Sequence, residues 1–190
     1  MTKGQNPQMT RLHNQALILT LIRNKPNSSR ADLSRLSRLS KPVVASIVDD
    51  LIEAKLVKEG LKAESTVGRR PIMLNISREF YRIIGIDLSR DHITVLVTSL
   101  DGELVSAIER PFEIANNCTM DPRQEIMETI ARLVIETGLQ REQIAGIGIG
   151  YPFPLSASRR LIIGEADIAE WRSIPLVQYL EKRFDVPVYV

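Results

Sequence analysis

The chain has 190 residues, room for one medium domain or a small one joined to a part-domain. Its 44 % apolar and 25 % charged residues exclude wholesale disorder, its single cysteine excludes an internal disulfide or a Cys-rich zinc site, and no apolar run reaches the roughly 18–20 residues of a membrane span. The net charge of +2 hides a split: residues 1–80 carry 14 Lys and Arg against 7 Asp and Glu, whereas residues 81–190 carry 11 against 16. A basic half suited to a polyanion thus precedes an acidic one, unless the clustering is only a solvated surface. Met1–Pro7 is polar and has no apolar signal segment, so the expectation is a soluble, cytoplasmic protein with no membrane partner.

Apolar periodicity predicts a first helix over about Thr10–Arg23, carried by Leu12, Ala16, Leu17, Leu19, Leu21 and Ile22 and stopped by Asn24-Lys25-Pro26-Asn27. Ser29 is the expected N-cap of a short second helix, with Asp32 in its donor-rich first turn and Leu33 and Leu36 on its apolar side. After the turn at Leu39, Ser40 is expected to cap a third helix, Lys41–Ala54, with Pro42 in its first turn. Val44, Ile47, Val48, Leu51 and Ile52 face a core, and Pro42, Ser46, Asp49 and Glu53 lie opposite. Two strands, 56–61 and 71–76, follow, with Lys62–Arg70 as the hairpin tip. Three helices and a hairpin form the layout of a winged helix-turn-helix, although a three-helix core with polar tips also suits protein docking.

From Tyr81 the texture changes. Strands are predicted at 83–88, 93–99 and 104–111, the last two joined by the hairpin signal Asp101-Gly102. An amphipathic helix runs from Asp121 to Gly138 with Ile126, Ile130, Leu133 and Val134 on one face. A buried strand at 144–150, a helix at 175–184 and a strand from 186 complete the order β-β-β-α-β-α-β, a mixed sheet of antiparallel strands and then parallel crossovers.

Read in order, these residues resemble the ROK family (repressors, open reading frames, kinases), and within it the transcriptional repressors. The resemblance is carried by Ser29–Leu33, Leu39–Val48, Leu51-Ile52, Leu56-Val57, Gly68-Arg69-Arg70-Pro71 and Leu74, then by Ile84–Leu88, Asp101-Gly102, Gly146–Pro152, Trp171 and Pro175-Leu176. It implies an α/β and α+β chain: a winged helix-turn-helix over residues 8–78, then over 81–190 the first lobe of an actin-like, ribonuclease H-like ATPase fold. The chain stops at Val190, before the segment in which the family carries its catalytic aspartate, its second lobe and its zinc motif. The kinases of the family have two glycines and a threonine after the aspartate of the first strand. Here Asp87-Leu88 is followed by Ser89-Arg90-Asp91, whose side chains stand where backbone amides would approach ATP phosphates.

The expected site is a double-stranded DNA interface. Ser40, Lys41, Pro42, Val43 and Ser46 would present the first two turns of the third helix to major-groove base edges. Gly68, Arg69 and Arg70 would put two arginines on the wing tip, suited to a narrow A·T-rich minor groove, and Arg30 and Arg38 would contact phosphates. A capped surface helix and a solvated turn are the plainer alternatives. Pro152, Phe153 and Glu165, with Asp167 and Trp171, are either a structural turn with a core tryptophan or the remnant of a sugar-effector contact. His13 and His92 lack ligand-spaced partners, and no nucleophile system is apparent, so no metal, cofactor or catalytic residue is expected. The reading is therefore a non-enzymatic, homodimeric repressor of sugar-utilisation genes. A ROK sugar kinase and a non-catalytic, partner-dependent interaction protein are the alternatives.

Overall fold

In the computed structural model, which describes residues 6–62, 71–89, 91–111, 122–150, 155–156, 161–162 and 175–190, the chain divides into two units, Met1–Phe80 and Tyr81–Val190. The first opens with α1 (Pro7–Asn24). It starts before the expected Thr10 because Asn6-Pro7 is a start signal. The Asn6 side chain accepts from the Gln8 amide at 3.0 Å, and Pro7 occupies a position whose N–H would be orphaned anyway. Its inward residues are Ile18 and Ile22, whereas Leu12 is 59 % exposed. Of the expected apolar set, Ile22 is buried and Leu19 and Leu21 pack against the core, but Leu12 and Ala16 are exposed, and the buried Ile18 was not in it.

The two-residue β1 (Ser28–Ser29), which no periodicity signalled, leads straight into α2 (Arg30–Ser37), and α3 (Lys41–Glu53) follows after a three-residue turn. β2 (Val57–Lys62) and β3 (Ile72–Ile76) pair antiparallel, and β1 adds to the free side of β3, giving the order β1-β3-β2. Ile22, Leu33, Val44, Val48 and Leu74 are fully buried at the centre of this unit. Leu36 is not part of it: the eight-residue α2 turns only one stripe inward, and Leu36 is 47 % exposed.

The entry to α2 is a reciprocal cap. The Asp32 amide donates to the Ser29 hydroxyl, and the Ser29 amide and hydroxyl donate to the Asp32 carboxylate at 3.0 and 2.6 Å. These hydrogen bonds from Ser29, side chain first, hold the Asp32 carboxyl below its ordinary range; partial burial opposes them and Arg35 adds to them. A carboxyl lowered on folding stabilises above its unfolded value, about pH 4, and that stability is lost as pH falls through the lowered folded value. Two outcomes are expected in urea titrations of the full chain. Ser29→Ala should cost about 1 kcal/mol at neutral pH. Asp32→Asn should flatten the fall in stability below about pH 4.

The second unit is built on one five-stranded sheet. β4 (Arg82–Leu88), β5 (His92–Ser99) and β6 (Leu104–Pro111) form an antiparallel meander. α4 (Pro122–Thr137) then crosses to β7 (Ile144–Gly150), which pairs parallel with β4. A small hairpin, β8 (Leu155–Ser156) and β9 (Leu161–Ile162), was not expected from the sequence. Finally α5 (Leu176–Phe184) leads to β10 (Val188–Tyr189), parallel to β7, so the order is β10-β7-β4-β5-β6. This is the mixed α/β arrangement the sequence predicts.

The pleat decides which face is the core. Ile84, Ile86 and Leu88 of β4 stand opposite Val97, Val95 and Ile93 of β5, and all six are buried together with Ile126, Ile130 and Leu133 of α4. Gly138 ends α4 at φ +64°, a conformation glycine adopts without strain. Asp121, the expected start of this helix, lies outside the described residues.

Candidate nucleic-acid interface

The corner between α2 and α3 is held by serines of α2. The Ser34 hydroxyl donates to the Leu39 carbonyl at 2.7 Å, and the Leu39 amide donates to the Ser37 hydroxyl at 3.2 Å. Between them Arg38 takes a left-handed conformation, φ 60° and ψ 17°, uncommon for a residue with a Cβ, and its side chain is exposed. These bonds fix the angle at which α3 leaves the corner.

At that corner the first turn of α3 is open. Ser40 is the N-cap residue by backbone, its carbonyl accepting from the Val44 amide at 3.0 Å, but its side chain makes no capping bond. That corrects the expectation that Ser40 caps the helix. Pro42, at the second helical position, removes one of the two amides that such a side chain could accept from. Ser40, Lys41, Pro42, Val43 and Ser46 are all exposed, whereas Val44, Ile47 and Val48 of the same helix are buried. The expected reading residues are therefore all exposed at the start of α3.

The carboxylates of this unit are largely spoken for. Asp32 pairs with Arg35, Asp49 and Glu59 both pair with Arg30, Asp50 pairs with Arg11, and Glu79 pairs with Lys58. Arg38 and Lys41 have no ion-pair or hydrogen-bond partner among the described residues. Positive charge is thus left at the α2–α3 corner, beside the unsatisfied N–H groups that give a helix N-terminus its partial positive charge.

Arg30 is placed differently from the free phosphate contact expected. Its guanidinium bridges Asp49 of α3 at 2.9 Å and Glu59 of β2 at 2.8 Å. Burial lowers its pKa, but the hydrogen bonds and charges of Glu59 and Asp49 outweigh that and raise it above the ordinary value. Arg30 ties three elements together, and a phosphate would have to compete with two carboxylates for it.

Three residues that the sequence did not single out bear on this surface. Arg11 Nη2 contacts Asp50 and donates to the Ser46 hydroxyl at 3.4 Å, and Gln15 Nε2 donates to Asp50 at 2.9 Å. The i, i+4 spacing of Arg11 and Gln15 puts them on one side of α1, yet the partner lies 35–39 residues on, beyond the reach of periodicity. Thr10, Arg11 and Asn14 of α1 and Pro42, Val43 and Ser46 of α3 line an open groove of about 380 Å³.

Gly68, Arg69 and Arg70 lie outside the described residues, in the segment joining β2 to β3. So do Pro152, Phe153, Glu165, Asp167 and Trp171. In the second unit, Asp87 and Gly150 are register partners at the ends of parallel β4 and β7, where a Cβ on Gly150 would stand 3.0 Å from Asp87 Oδ1. Asp87 accepts from the Ser89 hydroxyl at 3.2 Å, and Asp91 bonds His92 Nδ1 at 2.7 Å. Arg90 lies outside the described residues. Among the described residues there is no cluster of three metal-ligating side chains, and no helix is long and apolar enough to cross a membrane.

Comparison with known proteins follows the same lines. The profile of the ROK family matches residues 83–190. The xylose repressor of Caldicellulosiruptor bescii is 28 % identical over 93 % of this chain and 44 % of its own length. The DNA-binding transcriptional repressor Mlc of Escherichia coli is 26 % identical over 93 % of this chain and 43 % of its own. The crystal structure of a ROK family transcriptional regulator, a homologue of Mlc, superposes with a TM-score of 0.68 at 20 % identity, covering 94 % of this chain and 45 % of that one. That superposition supports the fold. The chain spans less than half the length of the curated relatives it matches.

Proposed function

The chain belongs to the ROK family, and on that premise we propose that it is a DNA-binding transcriptional repressor of sugar-utilisation genes. The first unit is a winged helix-turn-helix in which α2 and α3 form the helix-turn-helix, β2 and β3 form the wing, and α3 enters the major groove. Lys41 reaches a guanine edge or a phosphate, Ser40 and Ser46 offer hydroxyls that donate or accept, and Val43 meets a thymine methyl. Arg38 contacts the backbone, and Gly68-Arg69-Arg70 enters the adjacent minor groove. The second unit, with Pro152, Phe153 and Glu165, contributes to sugar sensing as part of an actin-like body, and two chains bind a two-fold operator. The relatives' names make xylose the first effector to try.

One observation carries this reading. Five carboxylates of the first unit are paired internally, while Arg38 and Lys41 remain unpaired among the described residues at the exposed start of α3. A merely solvated surface helix has no need of that separation. Binding to A·T-rich duplexes measured over a salt series is expected to give a log–log slope of roughly −0.9 for each phosphate neutralised. A slope near zero would overturn the proposal.

A further inference from the structure

We propose that Arg11 is a positioning residue for duplex binding: it masks the Asp50 carboxylate on α3 and steadies Ser46, so that α3 can seat between two phosphate walls. The inference rests on α3 being the groove-facing helix. Asp50 lies nine residues after Lys41, about two and a half turns at about 3.6 residues per turn, so the two side chains project from opposite sides of α3. The major groove is about 12 Å wide, so a helix of about 10–12 Å diameter lies along it, and one that turns Lys41 toward one wall turns Asp50 toward the other. Each wall is a line of phosphates, and an uncovered carboxylate there is repelled.

The structure supplies the cover from a different helix. Arg11 Nη2 touches both Asp50 and Ser46, and Gln15 donates to the same Asp50 oxygen. Arg11 makes both contacts through Nη2. With Arg11 and Asp50 side chains 53 % and 35 % exposed, the pair adds little to folding stability. Its consequence therefore falls on what approaches the surface.

The test compares the full chain with Arg11→Met, Asp50→Asn and the double variant, by fluorescence anisotropy on the duplex the unmodified chain binds most tightly. Melting temperature is measured on each protein. Arg11→Met is expected to weaken binding about tenfold at low salt, with the deficit shrinking as salt is added. Asp50→Asn is expected to bind at least as tightly as the unmodified chain, and the double variant to return to within about threefold of it. A pair that served only the fold would make Asp50→Asn as damaging as Arg11→Met, and that result overturns the inference. So does a double variant no better than Arg11→Met. If Arg11→Met fails to fold, Asp50→Asn alone still decides by the direction of its effect. An unmodified chain that binds no duplex overturns the functional reading beneath, which is a separate and recognisable failure.

Discussion

Alanine at both Arg38 and Lys41 should lower duplex affinity by about two orders of magnitude near 0.1 M salt and reduce the log–log salt slope by about two. Each phosphate contact releases about 0.9 of a counterion, which near 0.1 M amounts to roughly a tenfold contribution per contact. The two side chains flank the α2–α3 corner, both are exposed, and neither has an internal partner among the described residues. Their removal therefore leaves no buried charge behind, and unfolding by urea should be unchanged within about 0.5 kcal/mol. If they contact phosphates only, the loss is uniform across sequences; a loss concentrated on one base position would assign Lys41 to a guanine edge. An unchanged slope would show that the cations at this corner do not meet nucleic acid. The double change differs from Arg11→Met in kind. It removes attraction, whereas Arg11→Met uncovers repulsion, so only the latter is rescued by neutralising Asp50.

What could be read from the sequence follows from how local each cause is. The position of α3 was legible because Pro42 marks a first turn and Val44, Ile47, Val48 and Leu51 repeat at helical spacing, and all four are buried. The antiparallel strands β4 and β5 were legible because their alternation pairs cleanly face to face. The register of α1 was not. Its apolar residues fall on more than one side, and only packing selects Ile18 and Ile22 over Leu12. Nor was β1, since two serines carry no alternation and owe their burial to β3. The candidate interface divides in the same way. Exposure of Pro42 and Ser46 follows from the helical period, whereas Ser40, Lys41 and Val43 are exposed because they open the helix. The engagement of Arg30 by Asp49 and Glu59, and of Asp50 by Arg11, depends on elements meeting in space. Charge counting located the basic half of the chain but could not say which cations are already satisfied.

The largest stability effect is expected in the second unit, at Arg110→Met. The β6 residues Ser106, Ile108 and Arg110 face α4: the Ser106 hydroxyl donates to Glu136 at 2.8 Å, and Ile108 packs on the core. Arg110 Nη1 stands 2.5 Å from Glu125 Oε1 and 3.9 Å from Glu128 Oε2. Glu125 is 2 % exposed, and neither of its oxygens makes a well-aligned hydrogen bond, so the neighbouring guanidinium is the main source of compensation for its charge. Removing one member of such a pair typically costs 3–5 kcal/mol. Glu125 sits in the first turn of α4, where the helix N-terminus already favours negative charge, so the lower end, about 3 kcal/mol, is expected. Urea denaturation read by circular dichroism, with amide exchange in β6 and α4, measures it. The double change Arg110→Met with Glu125→Leu should recover most of the loss, because it removes the stranded charge along with its partner. A single-variant cost below about 1 kcal/mol would mean that Glu125 is compensated by some group other than Arg110. Duplex affinity measured on folded protein should stay the same in both variants, since the groups proposed to approach DNA belong to the first unit.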